Sequence, residues 1–384
     1  MKRILLLALF AMSLITVLGK DKKQKVPMSE RKTRAFDENR FWISPLVAPA
    51  YTPELGVSFS AGGLMSFKTD RQDSLIQRSS LPVFIGYTTT GAFIFNARLT
   101  SFWNEDKFRV NGDFWFKSMP DNYWGKGYDN GSYFKKSSDI TGYDRTWYWI
   151  NPRFMFRIKK DLYLGANIDL NYTNATNYHS ISDAGNTTPF NDGYFNNDQR
   201  LNIGLGVILE YDTRDITVNA WQGIYLKTSA TAYGSYLGGS SNYQVYDFDY
   251  RQYQQIKRKG SVLAWQVRGR FACNDVPWAE LSQLGTPFDL RGYTWGQYRD
   301  NAMVYGITEY RYTFKKSDGS LSKSGMTIWA AAGTMGESIG DLQNCLPNLG
   351  FGYRLELQPR MNFRIDFGVG KETKGLYFNF NEAF

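Results

Sequence analysis

Side chains that commonly carry catalysis or bind metals are scarce in this chain. It contains one histidine, His179, and two cysteines, Cys273 and Cys345. A tetrahedral zinc site takes several such ligands, and a hydrolytic triad needs a histidine base. We therefore predict that the protein is not an enzyme, with no catalytic residues, no metal site and no cofactor. His179 falls in a predicted loop, where we expect a solvated side chain.

Charged and aromatic residues are abundant instead. The 384 residues include 45 Lys and Arg against 36 Asp and Glu, a net charge of +9, and 17% are aromatic. The mean hydropathy of −0.43 excludes a bundle of membrane-spanning helices. Long disordered segments are poor in aromatic residues, so this composition also argues against extensive disorder. This composition is typical of an all-β chain. We expect no nucleic-acid partner.

Apolar side chains recur at every second position after residue 40. Leu205, Val207 and Leu209 share one face of a predicted strand, and Gly206 and Glu210 lie on the other. A soluble β-sandwich would also alternate in this way. Two features favour a membrane barrel: segments of about ten residues or more, which cross a bilayer when tilted, and many charges on the polar face, which a water-filled lumen accepts.

The alternating segments number sixteen, an even count as in bacterial single-chain barrels. They are 41–51, 55–69, 78–89, 91–103, 106–119, 140–158, 161–173, 199–212, 223–237, 241–257, 260–273, 300–315, 324–334, 346–358, 361–370 and 375–383. The long connections 120–139, 174–198 and 274–299 all fall on one side, which we assign to the outside of the cell. We predict a 16-stranded antiparallel transmembrane β-barrel in the bacterial outer membrane, in contact with outer-membrane lipid and lipopolysaccharide.

The first forty residues differ from the rest. Lys2 and Arg3 precede an apolar run that ends in small residues, which predicts a signal peptide at 1–19. Residues 20–40 are polar and too few to hold a core. We predict a flexible periplasmic leader at 20–40 and the barrel at 41–384.

The end of the sequence alternates as well. Phe378, Phe380 and Phe384 share the apolar phase of the last predicted strand, in the manner of the C-terminal signal of outer-membrane barrels. Glu382 falls on the same phase and departs from that pattern.

Two short motifs go beyond a generic barrel. The first, in the long connection before the twelfth strand, consists of Leu290, Arg291, Gly292 and Tyr293. The second, at the exit of the eighth strand, consists of Asp212, Arg214, Asp215 and Gly223. Together they resemble the loop-six motif and the strand-eight exit of the BamA/TamA superfamily, also called the bacterial surface antigen family, over residues 41–384. With only residues 20–40 before the barrel, we expect a short form that lacks POTRA domains.

The resemblance implies that loop six folds into the lumen and that acidic residues hold Arg291 there. An unpaired buried guanidinium is costly, and Glu309 and Asp366 are the candidate partners. The family's usual acidic partner lies in a Phe-x-Asp-x-Gly motif on strand thirteen. Here that strand reads Trp-Ala-Ala-Ala-Gly at 329–333, with no acid.

The two cysteines fall at the ends of predicted outer loops. An oxidising envelope permits a disulfide, so Cys273 and Cys345 either form a bridge or remain two separate thiols.

Two functions are compatible with the sequence. The resemblance implies assistance in the insertion, assembly or export of proteins or lipids at the outer membrane, with nascent outer-membrane proteins or assembly-machinery subunits as partners. Pro45, Pro49 and Pro53 lie in or beside the first strand and cannot donate to a ladder, which predicts a weak seam with the last strand. The alternative is a passive channel or structural barrel, which the cationic lumen favours.

Overall fold

The computed structural model describes residues 28–52, 56–73, 76–178, 188–196, 200–371 and 373–384. The predicted signal peptide at 1–19, His179 and Pro53 lie outside these ranges. The helices are α1 (Met28–Asp37) and α2 (Tyr128–Tyr133). The strands are β1 (Trp42–Thr52), β2 (Gly56–Phe67), β3 (Ser79–Thr88), β4 (Phe93–Trp103), β5 (Phe108–Asn122), β6 (Gly142–Lys159), β7 (Leu162–Thr176), β8 (Arg200–Asp212), β9 (Gly223–Tyr233), β10 (Tyr243–Gln255), β11 (Ser261–Asn274), β12 (Ser282–Gln283), β13 (Arg299–Asp300), β14 (Ala302–Lys315), β15 (Leu321–Gly336), β16 (Gln343–Gln358), β17 (Met361–Val369) and β18 (Lys374–Phe380).

Within the described residues, sixteen strands form one antiparallel sheet in chain order, and β12 and β13 form a separate pair. Each long strand pairs with the next along the chain, as in a meander. The first and last strands, β1 and β18, lie beside each other. The sheet therefore wraps round a central lumen, and the predicted 16-stranded antiparallel barrel is confirmed.

The apolar and polar residues that alternate along each strand form the outer and inner faces of the barrel wall. On β8, Leu205 and Val207 are exposed on the outer surface, whereas Asn202, Ile208 and Glu210 are buried toward the lumen. An apolar outer band beside a polar interior is the arrangement that a bilayer requires of a barrel. No helix in the described ranges is long and apolar enough to cross a membrane.

Residues 28–37 differ from the predicted flexible leader, because they form α1. The guanidinium of Arg78 lies 4.3 Å from the ring centroid of Phe36. On the other side, the ammonium of Lys32 donates to the carbonyl of Leu357. Because Arg78 precedes β3 and Leu357 lies near the end of β16, the helix touches the barrel on both sides of the junction between β1 and β18. These contacts hold the helix at the periplasmic rim.

The last strand is shorter than the predicted segment 375–383. It ends at Phe380, and Asn381 takes a positive φ of 59°. Glu382 then accepts hydrogen bonds from Arg354 and Asn362 inside the lumen. If β18 continued to the C-terminus, the carboxylate of Glu382 would face lipid. The bend at Asn381 turns it toward polar partners instead. Phe384 consequently lies in the lumen rather than on a terminal strand, and its predicted place in that strand is wrong.

The predicted alternative of a disulfide is also wrong. Cys273 near the end of β11 and Cys345 on β16 are both free and exposed. Strands β14 and β15 lie between β11 and β16. Three strand spacings amount to roughly 14 Å, whereas bridged cysteines have Cα atoms about 4.4–6.8 Å apart.

Candidate functional site: loop six and the strands at the seam

Loop six, residues 275–301 between β11 and β14, folds into the lumen as a compact structure. Its two ends are joined by the pairing of β12 with β13. The carboxylate of Asp289 accepts hydrogen bonds from the backbone N–H groups of Gly285 and Thr286, both at 2.8 Å. Leu284 and Leu290 are fully buried in the main hydrophobic cluster. Internal hydrogen bonds and apolar burial thus give loop six a defined shape.

Arg291 is completely buried between both of its candidate partners. Its guanidinium donates to Asp366 on β17 at 2.7 Å and to Glu309 on β14. The guanidinium carbon also lies 3.6 Å from the ring centroid of Trp329 on β15. Strand β15 is the thirteenth strand of the barrel, where the resembling family places its acid. In this chain one acid comes from the neighbouring strand β14 and the other from β17, which is two strands away from β15, and β15 itself supplies an aromatic face.

Three more arginines extend this ion pair into a network. Arg311 donates to the second oxygen of Glu309 at 2.8 Å. Arg354 binds Asp366 at 2.6 Å, and Arg364 binds it at 2.5 Å. Arg354 also donates to Glu382 at 2.7 Å. The network therefore connects loop six to the segment that follows β18.

Gly292 and Tyr293 bind the inner face of the last strands. Gly292 has φ of +119°, and a Cβ there would lie 2.7 Å from backbone atoms of Gly368. Its N–H donates to the hydroxyl of Tyr377 on β18 at 2.9 Å. The hydroxyl of Tyr293 donates to the carbonyl of Pro347 on β16 at 2.8 Å. Only glycine allows so close an approach with this backbone conformation.

Loop six is also held on the opposite wall. The ammonium of Lys117 on β5 lies 3.8 Å from the ring centroid of Trp295. Outside the lumen, Trp278 packs against Tyr123 and Phe195, with ring centroids 5.4 Å and 4.6 Å apart. Tyr123 belongs to loop three (123–141, between β5 and β6), Phe195 to loop four (177–199, between β7 and β8) and Trp278 to loop six. The described parts of loops three and four therefore form an aromatic cap against loop six.

The strand-eight exit motif lies at the periplasmic mouth. Asp212 accepts from Arg214 at 2.8 Å, and Gly223 takes φ of +111° where the turn closes. Asp215 reaches across to Arg360, in the turn between β16 and β17, at 2.9 Å. Arg360 also lies 3.6 Å from the ring centroid of Trp221. The turn 213–222 therefore extends across the lower opening of the barrel.

The seam, defined as the junction between β1 and β18, differs from every other strand junction. No backbone ladder joins β1 to β18 in the described parts of both strands. The ring of Phe380 instead stacks on Phe84 of β3 with centroids 4.6 Å apart, in a cluster with Leu64 of β2. Since Phe84 and Leu64 belong to the inward phase of their strands, the periplasmic end of β18 lies on the lumen side of the wall. Phe378 remains on the strand, 6.2 Å from Phe363.

The register of β1 with β2 is unbroken through Pro45 and Pro49. These two prolines are four residues apart, so their nitrogens point the same way, and neither can donate a hydrogen bond. Along its described residues, the first strand is therefore in register with β2 and forms no ladder with β18.

Sequence reasoning missed several residues of this site. Trp329, Asn348 and Tyr377 all contact the loop-six motif. They belong to three different strands, so no local pattern groups them. Only the alternation of inward and outward residues gave information about them, because it places all three on the inward face of their strands.

Comparison with known proteins places the chain in a family. Residues 83–384 match the Omp85 superfamily domain. The chain therefore belongs to the Omp85 superfamily, and it is an outer-membrane β-barrel protein. No curated protein sequence matches it.

Solved structures share the fold at low sequence identity. BamA from Haemophilus ducreyi lacking POTRA domains 1–3 matches with a TM-score of 0.54 and 13% identity, over 89% of this chain and 70% of that one. CdiB from Acinetobacter baumannii gives 0.54 and 10%, over 89% and 59%. CdiB from Escherichia coli gives 0.56 and 11%, over 88% and 62%. The chain thus spans about three fifths of the two CdiB chains.

Proposed function

We propose that this barrel assists the insertion, assembly or export of other polypeptides at the outer membrane. The observation that carries the proposal is the seam. A strand with one unpaired edge is a template for another strand, and the described residues of β1 form no ladder with β18. Membership of the Omp85 superfamily and the likeness in fold to BamA and CdiB support this reading.

Loop six supports the proposal because it is attached to the β18 side of the seam. Gly292 and Tyr293 bind β18 and β16, while Lys117 holds the loop to the opposite wall. A change in loop six would therefore alter the position of β18 relative to β1. The proposed partners are nascent outer-membrane proteins or subunits of an assembly machinery.

A passive channel is less well supported. The aromatic cap, loop six and the turn 213–222 obstruct the lumen at three levels. A solute pathway would need all three to move, whereas a client that pairs with β1 meets none of them.

Depletion of the protein in its own organism tests the proposal. We expect a subset of outer-membrane proteins to fall in abundance and to recover when the wild-type chain is restored. Restoration with Arg291→Ala should recover them only partly. Unchanged outer-membrane protein levels combined with slower uptake of small solutes would contradict the proposal and support a channel.

A further inference from the structure

One buried side chain joins the two sides of the seam at its periplasmic end. The amide nitrogen of Gln358, the last residue of β16, donates to the hydroxyl of Ser44 on β1 and to the carbonyl of Leu64 on β2, both at 2.9 Å. Its amide oxygen accepts a hydrogen bond from the hydroxyl of Ser66 on β2 at 2.6 Å. Strands β17 and β18 lie between β16 and β1 around the barrel, so the side chain of Gln358 reaches past the end of β18. We name these four residues the amide clasp.

The amide clasp is shielded from solvent. Gln358, Leu64 and Ser66 have no exposed surface. A polar group buried this completely needs hydrogen-bond partners, and both N–H donors and the oxygen of the Gln358 amide find theirs across the seam. The hydroxyl of Ser66 also accepts from the guanidinium of Arg78 at 3.2 Å, so it is used both as a donor and as an acceptor. The clasp is therefore a satisfied polar group within an apolar surrounding.

The turn 213–222 also contacts both sides of the seam. The N–H of Thr217 donates to the side-chain oxygen of Gln77, in the turn between β2 and β3, at 3.1 Å. On the other side, Arg360 pairs with Asp215 and donates to the carbonyl of Asn219 at 2.6 Å. Because Arg360 lies two residues after Gln358, the turn 213–222 helps to fix the backbone that carries the clasp.

The apolar contact at the seam leaves its exact position open. The ring of Phe380 stacks on that of Phe84 across the seam, and apolar contacts of this kind have little directional preference. Hydrogen bonds weaken steeply when their length or angle changes. Since the described residues of β1 and β18 form no ladder, the amide clasp supplies the directional bonds that a ladder supplies at the other strand junctions.

We propose that Gln358 holds the seam closed at its periplasmic end and that release of its amide precedes opening of the seam. Rotation of this one side chain breaks all three hydrogen bonds, whereas a ladder breaks bond by bond along two strands. The clasp thus combines a closed resting barrel with easy release. The inference rests on the proposed function, because only a barrel whose seam opens requires a closure of this kind.

The distance across the seam tests the proposal. In a Cys273→Ser/Cys345→Ser background, spin labels are attached at Arg71→Cys, in the turn between β2 and β3, and at Lys323→Cys on β15, both of them exposed positions. Double electron–electron resonance is measured on the full-length barrel in lipid vesicles without a client. We expect one short distance with the native clasp. Gln358→Leu should raise the ratio of long to short distances roughly tenfold or more, because three net hydrogen bonds are lost.

Gln266→Leu is the matched control. It removes another buried glutamine amide, which donates to Asp249 at 2.8 Å between β10 and β11, two strands joined by a ladder. This variant should keep the short distance. Ser66→Ala removes one of the three bonds without adding bulk, so it should give a smaller shift than Gln358→Leu, and it replaces that variant if the latter does not fold.

Three outcomes would overturn the proposal: an unchanged distance in the clasp variants, an equal shift in Gln266→Leu, or a long distance already present with the native clasp. Because no client is present, the measurement is separate from the depletion experiment. A shift in Gln358→Leu supports the clasp even where depletion leaves outer-membrane proteins unchanged, an outcome that would contradict the proposed function alone.

Discussion

At the scale of single residues, Arg291 explains why loop six stays in the lumen. Its guanidinium has no exposed surface and contacts two carboxylates and an indole. Without Arg291, Glu309 would keep Arg311 as a partner, and Asp366 would keep Arg354 and Arg364. The loss would therefore fall on the attachment of loop six rather than on the acids. The position of loop six therefore depends on this side chain more than on any single apolar contact.

Arg291→Ala should release loop six while the barrel remains folded. Glu309 and Asp366 would lose a shared cation, so we expect limited proteolysis to cut loop six of the variant but not of the wild type. Arg71→Ala, at an exposed position, is the control. Adding Glu309→Gln should cause less than the sum of the two single effects, because the residues act as a pair. Equal protease resistance of wild type and Arg291→Ala would contradict this role.

Gly292→Ala should also displace loop six, for a steric reason. The new Cβ would meet the backbone of Gly368 at 2.7 Å. Gly319→Ala is the matched control, since Gly319 also has a positive φ, of +81°, but no atom lies within 4 Å of its Cβ position. The control should lose only the roughly 1–2 kcal/mol of left-handed backbone strain. Similar protease sensitivity in both variants would show that the close approach is unimportant.

The residues of the site could be predicted in part from the sequence. Arg291 stands out through the family resemblance of its loop motif. Asp366 stands out because it lies on the polar phase of its strand, and Glu309 because it lies on the strand that follows loop six. Asn348, Tyr377 and Trp329 could not be predicted, because their contact with loop six depends on how the loop crosses the lumen.

At the scale of elements, the strands could be predicted from the sequence, whereas the helix before β1 and the bend after β18 could not. Alternation over ten or more residues is a strong local signal, and it predicts all sixteen barrel strands. Helix α1 depends on contacts of Phe36 and Lys32 with distant parts of the barrel. The bend at Asn381 depends on Arg354 and Asn362, which satisfy Glu382. Contacts between residues so far apart in the sequence produce no periodic pattern, so neither α1 nor the bend at Asn381 could be predicted.

Docking of loop six should weaken as pH rises through about 7. Glu280 lies in the 3-10 turn Trp278–Glu280 of loop six, and burial, together with the nearby charge of Asp169, raises its pKa to about 7. Arg270 and Arg145 oppose this shift only in part. Because the docked loop favours the protonated acid, the stabilisation is complete below the ordinary pKa of 4.5 and is lost as pH passes the raised value.

Protease resistance of loop six measured across this pH range checks the expectation. Glu280→Gln keeps the neutral, buried form and should make the resistance independent of pH. Protease resistance of the wild-type loop that rises with pH would contradict the prediction.

At the scale of the whole molecule, loop six occupies part of the lumen, and no ladder joins β1 to β18 in the described residues. The described parts of loops three and four pack against loop six at the outer opening, and the turn 213–222 crosses the inner one. In planar bilayers we therefore expect low resting conductance. Deletion of residues 276–299 should produce a large, steady conductance. A large, steady conductance of the wild-type protein would indicate a passive channel.

The measurement that tests the central claim most directly is a reversible lock of the seam. In a Cys273→Ser/Cys345→Ser background, cysteine pairs placed along β1 and β18 are oxidised, and insertion of a client identified by depletion is measured before and after reduction. The control pair, Leu205→Cys with Ala232→Cys, locks β8 to β9, which are already paired. We predict that only the seam lock stops insertion and that reduction restores it. Undiminished insertion with a fully locked seam would contradict the account.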